Sequence, residues 1–105
     1  MKAKMKNPLE VFESAKTSAE LIKAFRENFG IKQDDMAHAC DISQANLSAI
    51  ENGRRQVGPD VALKLSAFMG LNPINILYPK GFELQREYVT VQKRKARFFR
   101  EREAS

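Results

Sequence analysis

The sequence predicts an all-α domain with one compact core, and three observations lead to that prediction. The length of 105 residues provides one domain of ordinary size with short tails. Between residues 18 and 78, apolar residues recur at helical spacing in five short segments, each bounded by capping residues, prolines or glycines. No convincing pair of alternating segments, which would indicate neighbouring strands, accompanies them.

Three regions follow from this pattern. Residues 1–17 are predicted to form a basic N-terminal arm, with or without a short helix that would begin at Asn7-Pro8. Residues 18–78 hold the five core helices, and residues 79–105 form a basic C-terminal extension. In that extension the segment 88–91 could pass for a strand, but we favour a helix because the wider apolar spacing is helical.

The first two core helices have recognisable start signals. Thr17 followed by Glu20 forms a capping box, in which the Thr17 hydroxyl accepts the Glu20 N–H and the Glu20 carboxylate reaches back. Gly30 is placed to end this helix. The second, over residues 33–40, opens with Asp34 and Asp35, whose charges suit the positive end of a helix dipole.

The remaining core helices are bounded in the same way. Ser43 can cap a third helix that ends at Asn52-Gly53. A fourth begins at Pro59 and a fifth at Asn72-Pro73. The predicted core face of the fourth helix consists of Val61, Ala62, Leu65, Phe68 and Met69.

Composition excludes several classes of protein. The chain is 43% hydrophobic and 30% charged, as is typical of soluble globular proteins. Cys40 and His38 are its single cysteine and single histidine, so we expect no internal disulfide, no metal site and no cofactor. We find neither a membrane-spanning apolar run nor a signal-peptide core, and therefore expect a cytoplasmic protein with no membrane partner.

The charge is unevenly distributed. The formal net charge is +5; residues 1–30 contribute +2, residues 31–81 contribute zero and residues 82–105 contribute +3. Basic ends suit a polyanionic partner such as double-stranded DNA, although solvated helices are often basic as well.

The second and third predicted helices form the pattern that bears on function. They are short and are joined by the three residues Asp41, Ile42 and Ser43, as in a helix-turn-helix that places its second helix in the DNA major groove. With Leu47 pointing inward, the small residues Ala45, Ser48 and Ala49 lie on the far side. Small side chains there permit close approach to base edges, and Gln44 can hydrogen-bond an adenine edge twice.

These residues carry a resemblance to a known family. Residues 21–77 resemble the helix-turn-helix of the Cro/CI family, also called the XRE family, which implies a lambda-repressor-like fold. The matching residues are Leu21-x-x-x-x-Arg26, Gly30-Ile-Lys-Gln33, Met36-Ala37, Ile42-Ser-Gln-Ala-Asn-Leu47, Ile50-Glu-Asn-Gly-Arg-Arg55, Pro59 and Leu63-x-Leu65.

The resemblance implies roles for single residues. It makes residues 44–51 the recognition helix, and it makes Glu51 a structural partner of Arg26 instead of a DNA contact. Gln33 is expected to contact phosphate and to steady Gln44. Base reading is implied for Gln44, Ala45, Ser48 and Ala49, and backbone contact for Lys32, Gln33, Asn46, Asn52, Arg54 and Arg55. The family and the geometry of DNA reading indicate a dimer surface at Pro73, Ile74, Leu77 and Tyr78, with or without an extension into the segment after Phe82.

Two residues depart from the family pattern. Asp41 stands where the family usually has glycine, so we expect a residue in the left-handed region at a cost of about 1 kcal/mol. Lys32 stands where a Ser or Thr cap is common, which removes a cap and adds a cation near phosphate.

Three functions are consistent with the helix-turn-helix pattern and the family resemblance. The first is a non-enzymatic transcriptional regulator, a repressor that binds a palindromic operator as a homodimer. The second is the antitoxin of a toxin–antitoxin pair that also represses its own operon, with a toxin as protein partner. The third is a protein–protein adaptor that binds nucleic acid without sequence preference. The basic tail has three corresponding interpretations: a solvated helix face, a phosphate-binding arm, or a protein-binding surface on which Phe98 and Phe99 act as anchors.

Overall fold

The computed structural model describes residues 15–104. Within that range it contains six α-helices, one 3-10 turn and no strand, so the all-α prediction is confirmed. The predicted leading helix at Asn7-Pro8 lies outside the described residues. The helices are α1 (Ser18–Asn28), α2 (Gln33–Ala39), α3 (Gln44–Glu51), α4 (Pro59–Met69), α5 (Pro73–Leu77) and α6 (Arg86–Ala104), with the 3-10 turn at Phe82–Leu84.

Helix α1 begins with a capping arrangement that differs slightly from the predicted box. The Thr17 hydroxyl accepts the Glu20 N–H at 3.1 Å, as expected. The Glu20 carboxylate accepts the backbone N–H of Lys16 at 2.9 Å, one residue before the cap. Both bonds satisfy backbone donors near the helix start, which stabilises the first turn.

The core lies where the first five helices meet. Helix α3 packs against α1 and α2, and α5 packs against α4 and α1. The Ser18 hydroxyl donates to the Ile76 carbonyl at 2.5 Å, joining the start of α1 to α5. The largest fully buried side chains are Leu21, Ile22, Met36, Leu47, Ile50, Leu65 and Ile76.

One residue of the predicted core lies at the surface. Phe68 on α4 is 39% exposed, although its spacing places it beside Leu65 and Met69, which are buried. Its ring contacts Phe25 of α1 edge-on, with 6.3 Å between ring centroids. The prediction that Phe68 is a core residue is therefore wrong, because this contact with Phe25 leaves the side chain 39% exposed.

The C-terminal extension forms the helix α6 over residues 86–104, as we expected from its apolar spacing. The segment 88–91 lies inside α6, so the strand alternative is wrong. Between residues 86 and 103 every side chain is exposed except the half-buried Val89. The main contact of α6 with the rest of the described chain is with the 3-10 turn.

In the described part of the chain no single helix has both the length and the apolar character needed to cross a membrane. The residues of α4 and of the segment 73–84 meet that requirement only as a pair, bent by 114°.

Candidate nucleic-acid interface

The turn between α2 and α3 sets the angle at which α3 leaves the domain. Asp41 has φ of 54°, so it occupies the left-handed region, as its place in the turn predicts. The Ile42 N–H donates to the Ala37 carbonyl at 3.0 Å. From α4, the Lys64 ammonium donates to the Asp41 carbonyl at 3.0 Å and lies 3.4 Å from its carboxylate. Helix α4 therefore holds the turn.

Helix α3 has an inner and an outer face. Its start is capped by the Ser43 hydroxyl, which accepts the Asn46 N–H at 3.0 Å. Leu47, Ile50 and Glu51 are buried and attach the helix to the core. On the outer face Gln44 and Ala45 are exposed, and Ser48 and Ala49 are half-buried. That outer face carries only small or polar side chains, which permits contact with a groove of DNA.

An ion pair beneath α3 links it to α1. Arg26 donates from Nε to Glu51 Oε2 and from Nη2 to Glu51 Oε1, both at 2.8 Å. The Glu51 side chain is 2% exposed and the Arg26 side chain 16%. The hydrogen bond to Glu51 raises the pKa of Arg26. Two parallel bonds between a guanidinium and a carboxylate fix orientation as well as distance, so this pair sets how α3 sits on α1.

Gln33 joins this ion pair. Its side-chain amide donates to Glu51 Oε1 at 3.3 Å, which connects the start of α2 to the end of α3. The amide is directed toward Glu51, and the support of Gln44 by Gln33 and its contact with phosphate stay predictions. Arg26 also donates to the Ile31 carbonyl at 3.0 Å, so the loop before α2 is held by the same group.

The loop after α3 carries two predicted backbone-contact cations. Gly53, with φ of 74°, reverses the chain there, a conformation that glycine adopts without strain. Arg54 and Arg55 follow and are exposed. Arg55 Nη1 donates to Asn46 Oδ1 at 2.7 Å, which brings together two residues predicted to contact the backbone.

Asn52 and Lys32 are the remaining predicted backbone contacts. Asn52 donates from Nδ2 to the Ser48 hydroxyl at 3.4 Å. Lys32 occupies the N-cap position of α2 without a side-chain hydrogen bond to the helix, as predicted from its residue type. Its side chain is exposed. Cations therefore precede α2 and follow α3, so they flank the two helices of the motif.

The predicted dimer surface is partly open. Ile74 is 48% exposed and Tyr78 38%, while Pro73 and Leu77 are half-buried. Ile76, between them, is fully buried and fixes α5 to the core.

The described residues contain no group of three or more His, Cys, Asp or Glu side chains able to hold a metal ion. Cys40 is buried at the end of α2, and this burial raises the pKa of its thiol.

Three contacts were not predicted from the sequence: Gln33 with Glu51, Arg55 with Asn46, and Lys64 with Asp41. Their partners are 18, 9 and 23 residues apart. In each contact the two residues lie in different elements, so helical spacing contains no signal for it. The only available signal was residue type, since polar side chains beside a buried carboxylate or a left-handed turn need partners.

Comparisons with known proteins agree with this geometry. A family model described as helix-turn-helix matches residues 22–75, about half of the chain and all of α2 to α4. A solved structure described as a hypothetical transcription factor, NHTF, from Neisseria has 22% sequence identity and a TM-score of 0.55, over 76% of this chain and 88% of that one. At that identity the likeness concerns the fold. Comparison with curated proteins gives no match. The family match and the α2–turn–α3 geometry together establish that this chain belongs to the XRE-type helix-turn-helix family of DNA-binding proteins.

Proposed function

We propose that the protein is a sequence-specific transcriptional regulator that represses by binding a palindromic operator as a homodimer. In this proposal α3 lies in the major groove. Gln44, Ala45, Ser48 and Ala49 then face the base edges. The observation that carries the proposal is the outer face of α3, which is small and polar over a rigid, buried support.

The cations before α2 and after α3 support the proposed contacts with the phosphates of the DNA backbone. Lys32 lies before α2, and Arg54 and Arg55 lie after α3, all three exposed. Asn46 orients Arg55 through a 2.7 Å hydrogen bond, so this guanidinium needs less reordering to meet a phosphate. Phosphate contacts at both ends of a helix-turn-helix fix its register on the duplex, while the residues between them read the sequence.

A dimer is proposed because one recognition helix reads few base pairs. Two copies with their α3 helices one helical turn of DNA apart would read two half-sites and gain specificity. The exposed part of α5, with Ile74 and Tyr78, supports an apolar contact between copies. The proposed role is binding without catalysis and without a cofactor, in the cytoplasm where the DNA ligand is found.

The experiment that tests this function is selection of bound sequences from a random DNA pool, with the full chain at near-physiological salt. We expect a motif with two inverted half-sites about ten base pairs between centres. Recovery of one ungapped half-site would support sequence reading and contradict the dimer. Binding without any motif would contradict the proposed function.

The adaptor is the second candidate, and the charge of α6 is the observation that favours it. Residues 86–104 carry seven Lys and Arg against three Glu, which suits contact with any nucleic acid. Competition with unrelated DNA separates the two functions. A regulator keeps its preference for one site as salt rises, whereas an adaptor loses binding equally on all sequences.

A further inference from the structure

Helix α6 and the 3-10 turn before it carry large side chains that the domain leaves uncovered. In α6, Tyr88, Val91, Lys95 and Phe98 follow one another at steps of three, four and three residues, and Leu84 of the 3-10 turn lies four residues before Tyr88. This is the 3.5-residue repeat of helices that pair lengthwise. Leu84 is 71% exposed, Val91 61% and Phe98 48%.

The helix has little reason to be stable alone. None of its described side chains is buried, whereas helices in proteins gain most of their stability from the packing of one face against other elements. Its opposite face is basic, with Arg86, Lys93, Arg97 and Arg100 within about 60° of one another at 100° per residue. A helix with one apolar and one charged face gains stability when the apolar face is covered.

A groove of about 500 Å³ continues this stripe onto the domain. It is lined by Phe82 and Tyr88, whose rings contact edge-on with centroids 5.2 Å apart. Tyr78 of the predicted dimer surface also lines it. The uncovered surface of α6 is therefore continuous with the surface proposed for contact between copies.

The distribution of charge along α6 indicates which partner covers the apolar stripe and in which direction that partner runs. Residues 82–90 carry two Glu and one Arg, whereas residues 91–104 carry six Lys and Arg against two Glu. Two parallel α6 helices would place one basic half against the other. Two antiparallel helices would place each acidic start beside the basic half of the other copy, which is the favourable arrangement.

We propose that α6 pairs antiparallel with α6 of a second copy of this chain, and that this pairing forms a large part of the homodimer contact. The inference rests on the homodimer of the proposed function and adds its surface. The apolar stripe favours a register with Tyr88 opposite Val91 of the second copy. Glu87 then faces Arg94 of the second copy, and Arg94 faces Glu87 of the second copy.

The same register accounts for two further residues. Lys95, the one charged member of the stripe, lies beside Leu84 of the second copy, within reach of the acidic residues Glu83 and Glu87 there. Phe98 lies beside Phe82 of the second copy and fills the groove. The basic face, including Lys93 and Arg97, stays outside the pair and open to solvent or DNA.

The test is a charge exchange in the full chain, read by sedimentation equilibrium at near-physiological salt. We expect the unchanged chain to be dimeric at micromolar concentration. Glu87→Arg and Arg94→Glu should each weaken the dimer about tenfold, because each change turns two attractions into repulsions. The double variant should recover most of that loss, since its two new charges again face each other.

A control for charge alone is Lys93→Glu, which makes the same change as Arg94→Glu on the opposite face. This variant should change the dissociation constant of the dimer by less than about twofold. Circular dichroism of each variant shows whether α6 still forms. If the double variant folds but does not regain dimerisation, the antiparallel register is overturned. If the unchanged chain is monomeric, the pairing itself is overturned.

Failure of this inference differs from failure of the proposed function. A monomer that still selects one half-site sequence retains the function and contradicts the α6 pairing. A dimer with the expected charge exchange but no DNA sequence preference retains the pairing and contradicts the function. If DNA or an unrelated protein protects Val91 and Phe98 from hydroxyl-radical labelling while the free chain is monomeric, the stripe belongs to that partner and the inference is wrong.

Discussion

Glu51 holds a negative charge in an almost closed site at the end of α3. Its carboxylate accepts two hydrogen bonds from Arg26 and one from Gln33. A buried pair of this kind is not in itself strong evidence for stability, because desolvation offsets much of the attraction. Its geometry nevertheless makes the position of α3 depend on α1 and α2 together.

Removal of the Arg26 guanidinium tests that dependence. Arg26→Ala should lower the free energy of unfolding by about 3 kcal/mol, because it leaves the Glu51 carboxylate buried without its cation. Urea denaturation followed by circular dichroism measures the loss. Lys23→Ala, an exposed cation on the same helix, is the control and should change it by less than about 0.5 kcal/mol. Equal stability of both variants would contradict a structural role for the pair.

Gln44 is the residue on which the base-reading proposal depends most directly. Gln44→Ala should weaken binding to the selected operator by about 1 to 3 kcal/mol and leave binding to random DNA unchanged. Fluorescence anisotropy on both DNAs measures the two constants. Gln56→Ala removes the same amide outside α3 and should alter neither. An equal loss on operator and random DNA would show that Gln44 contacts the strand backbone.

At the scale of elements, the α2–α3 turn combines a strained residue with an external support. Asp41 adopts the left-handed region, and Lys64 from α4 bonds its carbonyl. The Asp41 side chain is 94% exposed and the Lys64 side chain 43%, so the 3.4 Å charge contact adds little. The bond to the carbonyl does not depend on the side chain at position 41.

Replacement of this residue by glycine should therefore stabilise the fold. Asp41→Gly relieves the left-handed strain, and the greater freedom of glycine in the unfolded chain offsets part of the gain, leaving about 0.5 kcal/mol. Asp60→Gly, in the first turn of α4, should instead destabilise by up to about 1 kcal/mol. Both changes are measured by urea denaturation. A loss at position 41 would mean that the Asp41 carboxylate contributes more than its exposure indicates.

The loop after α3 gives a second prediction at this scale. Arg54→Ala should weaken binding to all DNA alike and reduce the slope of log affinity against log salt by about one unit, as expected for one lost phosphate contact. Affinities at four or five salt concentrations give the slope. Lys80→Ala removes an exposed cation beyond α5 and should leave the slope unchanged. The same slope for both variants would argue against a phosphate contact by Arg54.

At the scale of the whole molecule, charge and apolar surface are separated. The helix-turn-helix region is close to neutral, whereas residues 82–105 carry +3 of the formal charge of +5. A long basic helix raises the local potential felt by an approaching polyanion, whether or not it touches phosphate in the complex.

A variant with Lys93→Gln and Arg100→Gln tests this field, because its formal charge falls by two, from +5 to +3. Association with DNA should slow severalfold at low salt, and the difference should disappear at high salt. Stopped-flow measurements over a salt series record both rates. If the tail is also a phosphate-binding arm, the equilibrium salt slope falls by about two units; a solvated face leaves it unchanged. An unaltered association rate at low salt would contradict the long-range effect.

Much of the fold could be predicted because its signals are local. Caps at Thr17, Ser43 and Asn72 each satisfy a backbone donor two or three residues away, so sequence spacing is enough to identify them. The buried residues of α1 and α3 follow from helical periodicity, and the left-handed Asp41 follows from the family resemblance, which implies glycine at this position. The DNA-contact and dimer residues remain predictions, since no DNA or second copy is part of the structure.

The sequence by itself determined the helices, their ends, the turn and the residues on the outer face of α3, because each depends on neighbours within about one helical turn. Tertiary structure alone decided that Gln33 bonds Glu51, that Arg55 bonds Asn46, that Lys64 supports the turn, and that Phe68 is exposed. It also left the apolar stripe of α6 uncovered. The physical reason is that these outcomes depend on distances between separate elements, which helix packing sets and local spacing does not contain.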